Sequence, residues 1–233
     1  MRTAAVKVVE GDPRNPVTVT DRHLTQSQSL SIGRTAELAV GIDDRWLSRT
    51  ALRVTHTRDG FALEATNSNG AYLHRWGVPA RPVGHRELVT ESRTAVRLAG
   101  GADSVYWVFL QAPTAELAQP ETSPRPGPDT LVRPPTRPLT PAQQEAVREV
   151  FGDVLSWPPV VPARQVRLED AAANIGVSTS AVQARLDDAR RKARALGLAR
   201  DVPLTDPEYV HVLVRAGSLR PEHVGLAADN PDL

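Results

Sequence analysis

Residues 29–71, SLSIGRTAELAVGIDDRWLSRTALRVTHTRDGFALEATNSNGA, decide the fold. Within them LSIG, ALRVTH and FALEAT are short aliphatic and β-branched runs, and RDG and NSNG punctuate them as turns. The alternation Ala51-Leu52-Arg53-Val54-Thr55-His56 predicts a strand in a sheet with one face in water. Outward from this stretch, AAVKVV and VTVT precede it and AYLHRW, TAVRLA and VYWVFL follow. The turns between them are EGDPRNP, GVPARPVG and GGADS. Short strands at such even spacing predict an all-β sandwich or barrel over residues 1–111.

Beyond residue 111 the period changes. Nine of the 20 prolines fall between Pro113 and Pro141, so residues 112–138 are expected to form an extended Pro-rich linker. In LTPAQQEAVREVF, Thr140 stands as an N-cap with Pro141 in the first turn of a helix. Leu168 to Ile175 and Thr179 to Leu196 then carry apolar residues three and four apart. The expected fold class is therefore multi-domain, an N-terminal all-β sandwich plus a C-terminal all-α module over 139–200. Residues 201–233 form an extension whose short apolar helix (Tyr209, Val210, Leu213, Val214) ends at Gly217. That helix is expected to pack on the helical module or to pair two copies.

Composition removes several function classes. Lys+Arg 28 against Asp+Glu 27 gives a net charge of +1, which excludes an indiscriminate polycation. With no Cys, disulfide frameworks, thiolate metal sites and thiol nucleophiles are excluded. No apolar run approaches the roughly 18 residues of a membrane span, and the N-terminus lacks a secretory pattern. A cytoplasmic protein without membrane contact is expected. No Walker loop, H-E-x-x-H or G-x-S-x-G occurs, and the six His lack metal-ligand spacing. The reading is of a protein that is not an enzyme, with no catalytic residue, no metal and no cofactor.

Three spots place polar residues where strands should end: Ile32-Gly33-Arg34, Leu47-Ser48-Arg49 and Asn67-Ser68-Asn69-Gly70. Loops at one end of a sandwich cluster in space. Together they offer a guanidinium, hydroxyls and a carboxamide, which is what a phosphate on an extended peptide requires. Arg34 supplies the charge-assisted contact, Ser48 a hydroxyl donor, and Asn69 a bridge to the peptide main chain. Trp46, Trp76 and Trp107 are expected as core or edge aromatics, and Arg45 and Arg53 as solvated. At this order and spacing residues 28–110 resemble a forkhead-associated (FHA) domain. The resemblance implies an eleven-stranded sandwich that binds phosphothreonine peptides through loops at one end. It puts Arg34, Ser48, Arg49, Ser68 and Asn69 on the peptide-binding positions, with Gly33 and Gly70 as structural motif residues. Two positions depart from the family: Ala51 replaces the usual His, which braces the binding loop, and Ala71 replaces the usual Thr.

Leu168 to Leu186 has the spacing of a helix-turn-helix. Ala172 sits where two helices approach, Gly176 at a turn needing positive φ, and Ser178 or Thr179 at the next N-cap. Residues 139–196 resemble the tri-helical modules of LuxR-type regulators, sigma-factor region 4 and, with their longer connector, bacterio-opsin-activator proteins. The resemblance implies DNA contacts from Ser178, Thr179, Ser180, Gln183, Arg185, Arg190 and Arg191. Lys192 and Arg194 extend the basic run. Against this, residues 139–233 carry 11 basic and 13 acidic side chains, whereas residues 1–112 carry 14 and 11.

The expected function is a phosphothreonine-peptide-binding adaptor in Ser/Thr kinase signalling, joined to a helix-turn-helix. Its partners would be phosphothreonine proteins, either kinase substrates or the kinase, with DNA and a homodimer as candidates. The alternative is a phosphate-independent scaffold in which both modules bind protein. Thr122, Thr130, Thr136 and Thr140, in or beside the linker, are candidate phosphorylation sites that could fold back onto the FHA-like pocket.

Overall fold

A computed structural model describes residues 3–91, 93–101, 104–111 and 138–225. The expected linker lies outside these residues apart from Pro138, and so do Thr122, Thr130 and Thr136. The chain divides into two compact units, one built on strands and one on helices.

The first unit holds eleven strands among the described residues: β1 (Thr3–Asp12), β2 (Asn15–Thr25), β3 (Ser29–Gly33), β4 (Leu38–Ala39), β5 (Leu52–Thr57), β6 (Gly60–Ala65), β7 (Ala71–Arg75), β8 (Val78–Pro82), β9 (Glu87–Val89), β10 (Thr94–Ala99) and β11 (Val105–Gln111). They form two sheets, ordered β2-β1-β11-β10-β7-β8 and β4-β3-β5-β6-β9. One core lies between the sheets. Val6, Leu73, Val96, Leu98, Val108 and Leu110 enter it from the first sheet, and Ile32, Leu52, Val54, Phe61 and Leu63 from the second. Burying each such side chain stabilises by about 1.5–3 kcal/mol. The register is fixed accordingly, because a one-residue slip of β5 would put Arg53 and Thr55 inward.

In β5, Leu52, Val54 and His56 are buried while Arg53 is exposed, the one-wet-face pattern expected there. In β11 the pattern differs, with Tyr106 to Leu110 buried continuously. That strand sits third in its six-stranded sheet.

In the second unit, α1 (Pro141–Val150) starts at a Thr140 N-cap. Thr140 Oγ1 accepts from the Gln143 amide at 3.4 Å, and the Gln143 side chain accepts from the Thr140 amide at 3.0 Å. This reciprocal pair satisfies two amides that a helix start otherwise leaves open. The next helix, α2 (Leu168–Ile175), ends at Gly176 with φ +70°. Ser178 then caps α3 (Thr179–Ala195), its Oγ accepting from the Ala181 amide at 3.2 Å.

The final helix, α4 (Glu208–Arg215), packs into the same core as the others. Tyr209 meets Phe151 edge-on at 5.5 Å, and Tyr209, Val210 and Leu213 are fully buried. The extension's helix packs on the helical module, and the compact unit runs past residue 200. No helix among the described residues is long and apolar enough to cross a membrane. No group of three or more potential metal-ligating side chains occurs among them either.

Candidate functional site

The three polar loops of the sandwich are bonded to one another. The β3–β4 loop is zipped to the β4–β5 loop through the backbone: the Arg34 amide donates to Ser48 O at 3.1 Å, and the Thr35 amide donates to Arg49 O at 3.0 Å. Gly33 makes this approach feasible. A Cβ there would lie 2.6 Å from Arg49 O and 2.7 Å from the Ala51 nitrogen, inside any tolerable contact.

The β6–β7 loop is tied to the same place. Asn67 Oδ1 accepts from the Ser48 amide at 3.1 Å, while Asn67 Nδ2 donates to Gly70 O at 2.8 Å and Ala99 O at 2.9 Å. Thr66 Oγ1 donates to Thr50 O at 2.6 Å, and the Thr66 amide to Ala51 O at 3.0 Å. These bonds brace the segment where the resemblance expects a histidine. Ala51 itself is fully buried. Sequence reasoning placed Asn67 in the right loop and gave it no role. Two of its three partners, Ser48 and Ala99, lie 19 and 32 positions away, so no local pattern announces it.

Arg34 is half-buried, and its Nε donates to Leu47 O at 3.2 Å. That bond fixes the guanidinium, and its Nη groups have no protein partner among the described residues. Ser48 Oγ accepts from the Ser68 amide at 3.0 Å. Since a hydroxyl both accepts and donates, this acceptance leaves the Ser48 proton available for a ligand oxygen. Arg49 and Ser68 are exposed. Neither Arg34 nor Arg49 pairs with a carboxylate among the described residues. The five residues expected at the site lie on these mutually bonded loops, as do Gly33 and Gly70, the latter at φ +99°. A fixed guanidinium fork, an oriented hydroxyl and a second exposed cation can together hold a dianionic phosphate.

One site residue is partly engaged within the protein, and one expectation changes. Asn69 Nδ2 donates one of its two hydrogens to Trp46 O, which leaves its second N–H and its Oδ1 for a ligand. Trp46 is not a core or edge aromatic. It is 65% exposed, whereas Trp76 and Trp107 are buried. Its loop is held by Asp44, which accepts from the Trp46 amide at 2.9 Å, the Gly101 amide at 2.9 Å and the Tyr106 hydroxyl at 3.0 Å. Burial pushes the Asp44 carboxyl up, but those donors outweigh it and hold the carboxyl below its ordinary range. Tyr106, desolvated beside this carboxylate, is pushed up to about 12. Arg45 and Arg53 are exposed, as expected of solvated residues.

In the helical unit, residues 176–178 join α2 to α3. Ser178, Ser180 and Gln183 are exposed, and Thr179 is half-buried. Ser178 caps its own helix and hydrogen-bonds Ser180 Oγ at 3.0 Å. The cations are engaged. Arg185 pairs with Glu145 at 3.1 Å, and Arg190 with Asp187 at 2.6 Å and Asp201 at 3.3 Å. Arg191 pairs with Asp188 at 2.6 Å and Asp187 at 3.3 Å, while Arg194 pairs with Asp201. Lys192 Nζ donates to Pro138 O at 2.9 Å. Hydrogen bonds from Arg190, and then from Arg191, hold Asp187 below the usual carboxylate range. Arg194 does the same for Asp201.

No protein-family model matches the chain, and no curated protein matches it. Among solved structures it is similar to the FHA domain of the CT664 protein from Chlamydia trachomatis, at 15% identity and TM-score 0.34, over 46% of this chain and 95% of that one. It is also similar to Mycobacterium tuberculosis EmbR in complex with a low-affinity phosphopeptide, at 14% identity and TM-score 0.32, over 47% of this chain and 26% of that one. A third similarity is to the yeast Dun1 FHA domain in complex with a doubly phosphorylated peptide, at 10% identity and TM-score 0.31, over 57% of this chain and 92% of that one.

Proposed function

We propose that the sandwich is an FHA-type reader of phosphothreonine peptides and that the chain is an adaptor in Ser/Thr kinase signalling. The observation that supports this best is the state of Arg34. It is anchored through Nε, its Nη donors are uncommitted among the described residues, and it lies in a loop bonded to the one that carries Ser48 and Arg49. Phosphate would be held by Arg34, Ser48 and Arg49. Ser68 and the Asn69 carboxamide would face the peptide. The partner is then a phosphothreonine protein, either a kinase substrate or the kinase, and the Pro-rich segment separates the reader from the helical unit. We give the helical unit no part in phosphate-backbone binding, because the arginines and the lysine of α3 already have partners. A protein-docking role on its exposed polar face is the reading that fits.

Titrating the full chain with one peptide in threonine and phosphothreonine forms tests the proposal. The phosphorylated form should bind about 100-fold more tightly or better, and Arg34→Ala should remove most of that difference, since a charge-assisted bidentate contact contributes about 1.5–3 kcal/mol. Equal binding of the two forms would instead establish the phosphate-independent scaffold.

A further inference from the structure

The loop that carries Ser48 also walls a groove of about 800 Å³ on the sandwich, lined among others by Glu10, Thr18, Ile42, Asp43, Trp46 and Tyr106. We propose that this groove receives the cationic side chain, Arg or Lys, of a residue within about three positions of the phosphothreonine. The inference rests on the phosphothreonine reading and adds the sequence preference of the ligand.

Three observations carry it. First, Trp46 and Ile42 are 65% and 66% exposed. A rigid loop presents them: the Gly41 amide donates to Glu10 Oε1 at 2.8 Å, and Asp44 grips the Trp46 amide and the Gly101 amide. An exposed indole face held in place is the best side-chain surface for a cation.

Second, the charge fits. Glu10, Asp43 and Asp44 line the groove against one cation, Arg45. Glu10 and Asp44 are held by amide donors, while Asp43 is exposed and has no hydrogen-bond partner among the described residues. Third, the groove is continuous with the phosphate loops. Trp46 precedes Ser48 by two residues, and its carbonyl accepts from Asn69 Nδ2. Two residues of extended chain span at most about 7 Å, so a peptide anchored at Ser48 reaches Trp46 with a neighbouring side chain. One end of this surface is cationic and the other anionic. A peptide with an acidic flank would therefore meet repulsion as well as a lost contact.

Fluorescence anisotropy on the full chain tests this with phosphothreonine peptides carrying Arg, Ala or Glu at the flanking positions, plus the unphosphorylated Arg peptide. The Arg peptide should bind about tenfold more tightly than the Glu peptide. Trp46→Ala and Asp43→Asn should each cut that ratio to about threefold or less, with the dependence on phosphate retained. Both side chains are exposed, so neither change threatens folding. Equal binding of the Arg and Glu peptides, or an unchanged ratio in both variants, overturns the groove assignment and leaves the phosphate reading standing. Loss of the phosphate dependence in the wild-type chain overturns both.

Discussion

Arginine is almost the sole basic residue of this chain, and two of its regions, the polar loops of the sandwich and helix α3, use it in opposite ways. In the sandwich, Arg34 is fixed by a carbonyl and Arg49 is exposed, with no carboxylate on either among the described residues. Along α3, Arg185, Arg190, Arg191 and Arg194 each meet an acid within the same unit. Counted from sequence, residues 185–200 are the denser basic segment, with six basic and two acidic side chains. Counted by available charge, the order reverses. A basic run attracts phosphate through the charge left after local pairing, because bound acids already occupy the place a phosphate would take. The pairing itself has a structural use. Arg190 bridges Asp187, Asp201 and the Val202 carbonyl, at 2.7 Å, and so ties the chain after α3 back onto the helix.

The comparison breaks most easily at Asn67. Three hydrogen bonds converge on its half-buried amide, and they tie the loop that holds Ser48 to the β6–β7 loop and to Ala99 at the end of β10. Asn67→Ala should cost about 3 kcal/mol of stability and weaken phosphopeptide binding by about tenfold or more, with every residue that faces the phosphate still present. Urea unfolding and a peptide titration on the same variant check this. Unchanged binding would mean that the available arginine, and not its placement, carries affinity.

Uncommitted polar groups in the interior have a different consequence from those at the loops. His74 is buried beside Trp107, ring centroids 4.8 Å apart, and its Nε2 has no hydrogen-bond partner. Burial first, and then the charge of Arg97, lowers its pKa to about 4. The unfolded chain therefore binds a proton near pH 6.5 that the folded one refuses until about 4. Stability contributed by the neutral ring is full above pH 6.5, falls as pH drops through the interval between those values, and levels off below about 4. The wild-type chain should lose about 2 kcal/mol between pH 7 and pH 5 through this group. Urea midpoints at the two pH values, for wild type and His74→Gln, isolate the contribution from that of His211, whose pKa burial also lowers. An identical pH slope in the variant would remove His74 as the source.

Much of this was legible beforehand, and the failures have physical reasons. Eight strands announced themselves because each run has at least four residues of β-type sequence. β4 and β9 have two and three residues, too few for a period to register, and β8 (VPARP) reads as a turn because its prolines and exposed residues suit a sheet edge. The caps at Thr140, Gly176 and Ser178 were local signals and formed as expected. Site residues on motifs could be placed by order alone, whereas Asn67 and the engagement of Asn69 with Trp46 depend on contacts across 19 to 32 positions. The pairing of Asp187 with Arg190 and Arg191 at helical i,i+3 and i,i+4 spacing was present in the sequence. That of Asp201 with Arg190 and Arg194 required the chain to turn back.

Those last pairs give the comparison its smallest and most specific test. If α3 lacks affinity for nucleic acid because its cations are paired, removing the acids should restore it. Asp187→Asn with Asp201→Asn preserves shape and hydrogen-bonding capacity while freeing Arg190, Arg191 and Arg194 from most of their partners. Both carboxylates are on the surface, so folding should change little. Non-specific binding to duplex DNA at low salt should rise by several-fold, about 1 kcal/mol, and should fall again as salt is added. Phosphopeptide affinity, set in the other unit, should stay the same. Salt-dependent DNA binding by the wild-type chain would show that the pairs open readily and that the difference between the two sets of arginines is one of geometry alone. Absence of binding in the double variant would place the deficit in the shape of the exposed α3 face, since the charge would by then have been supplied.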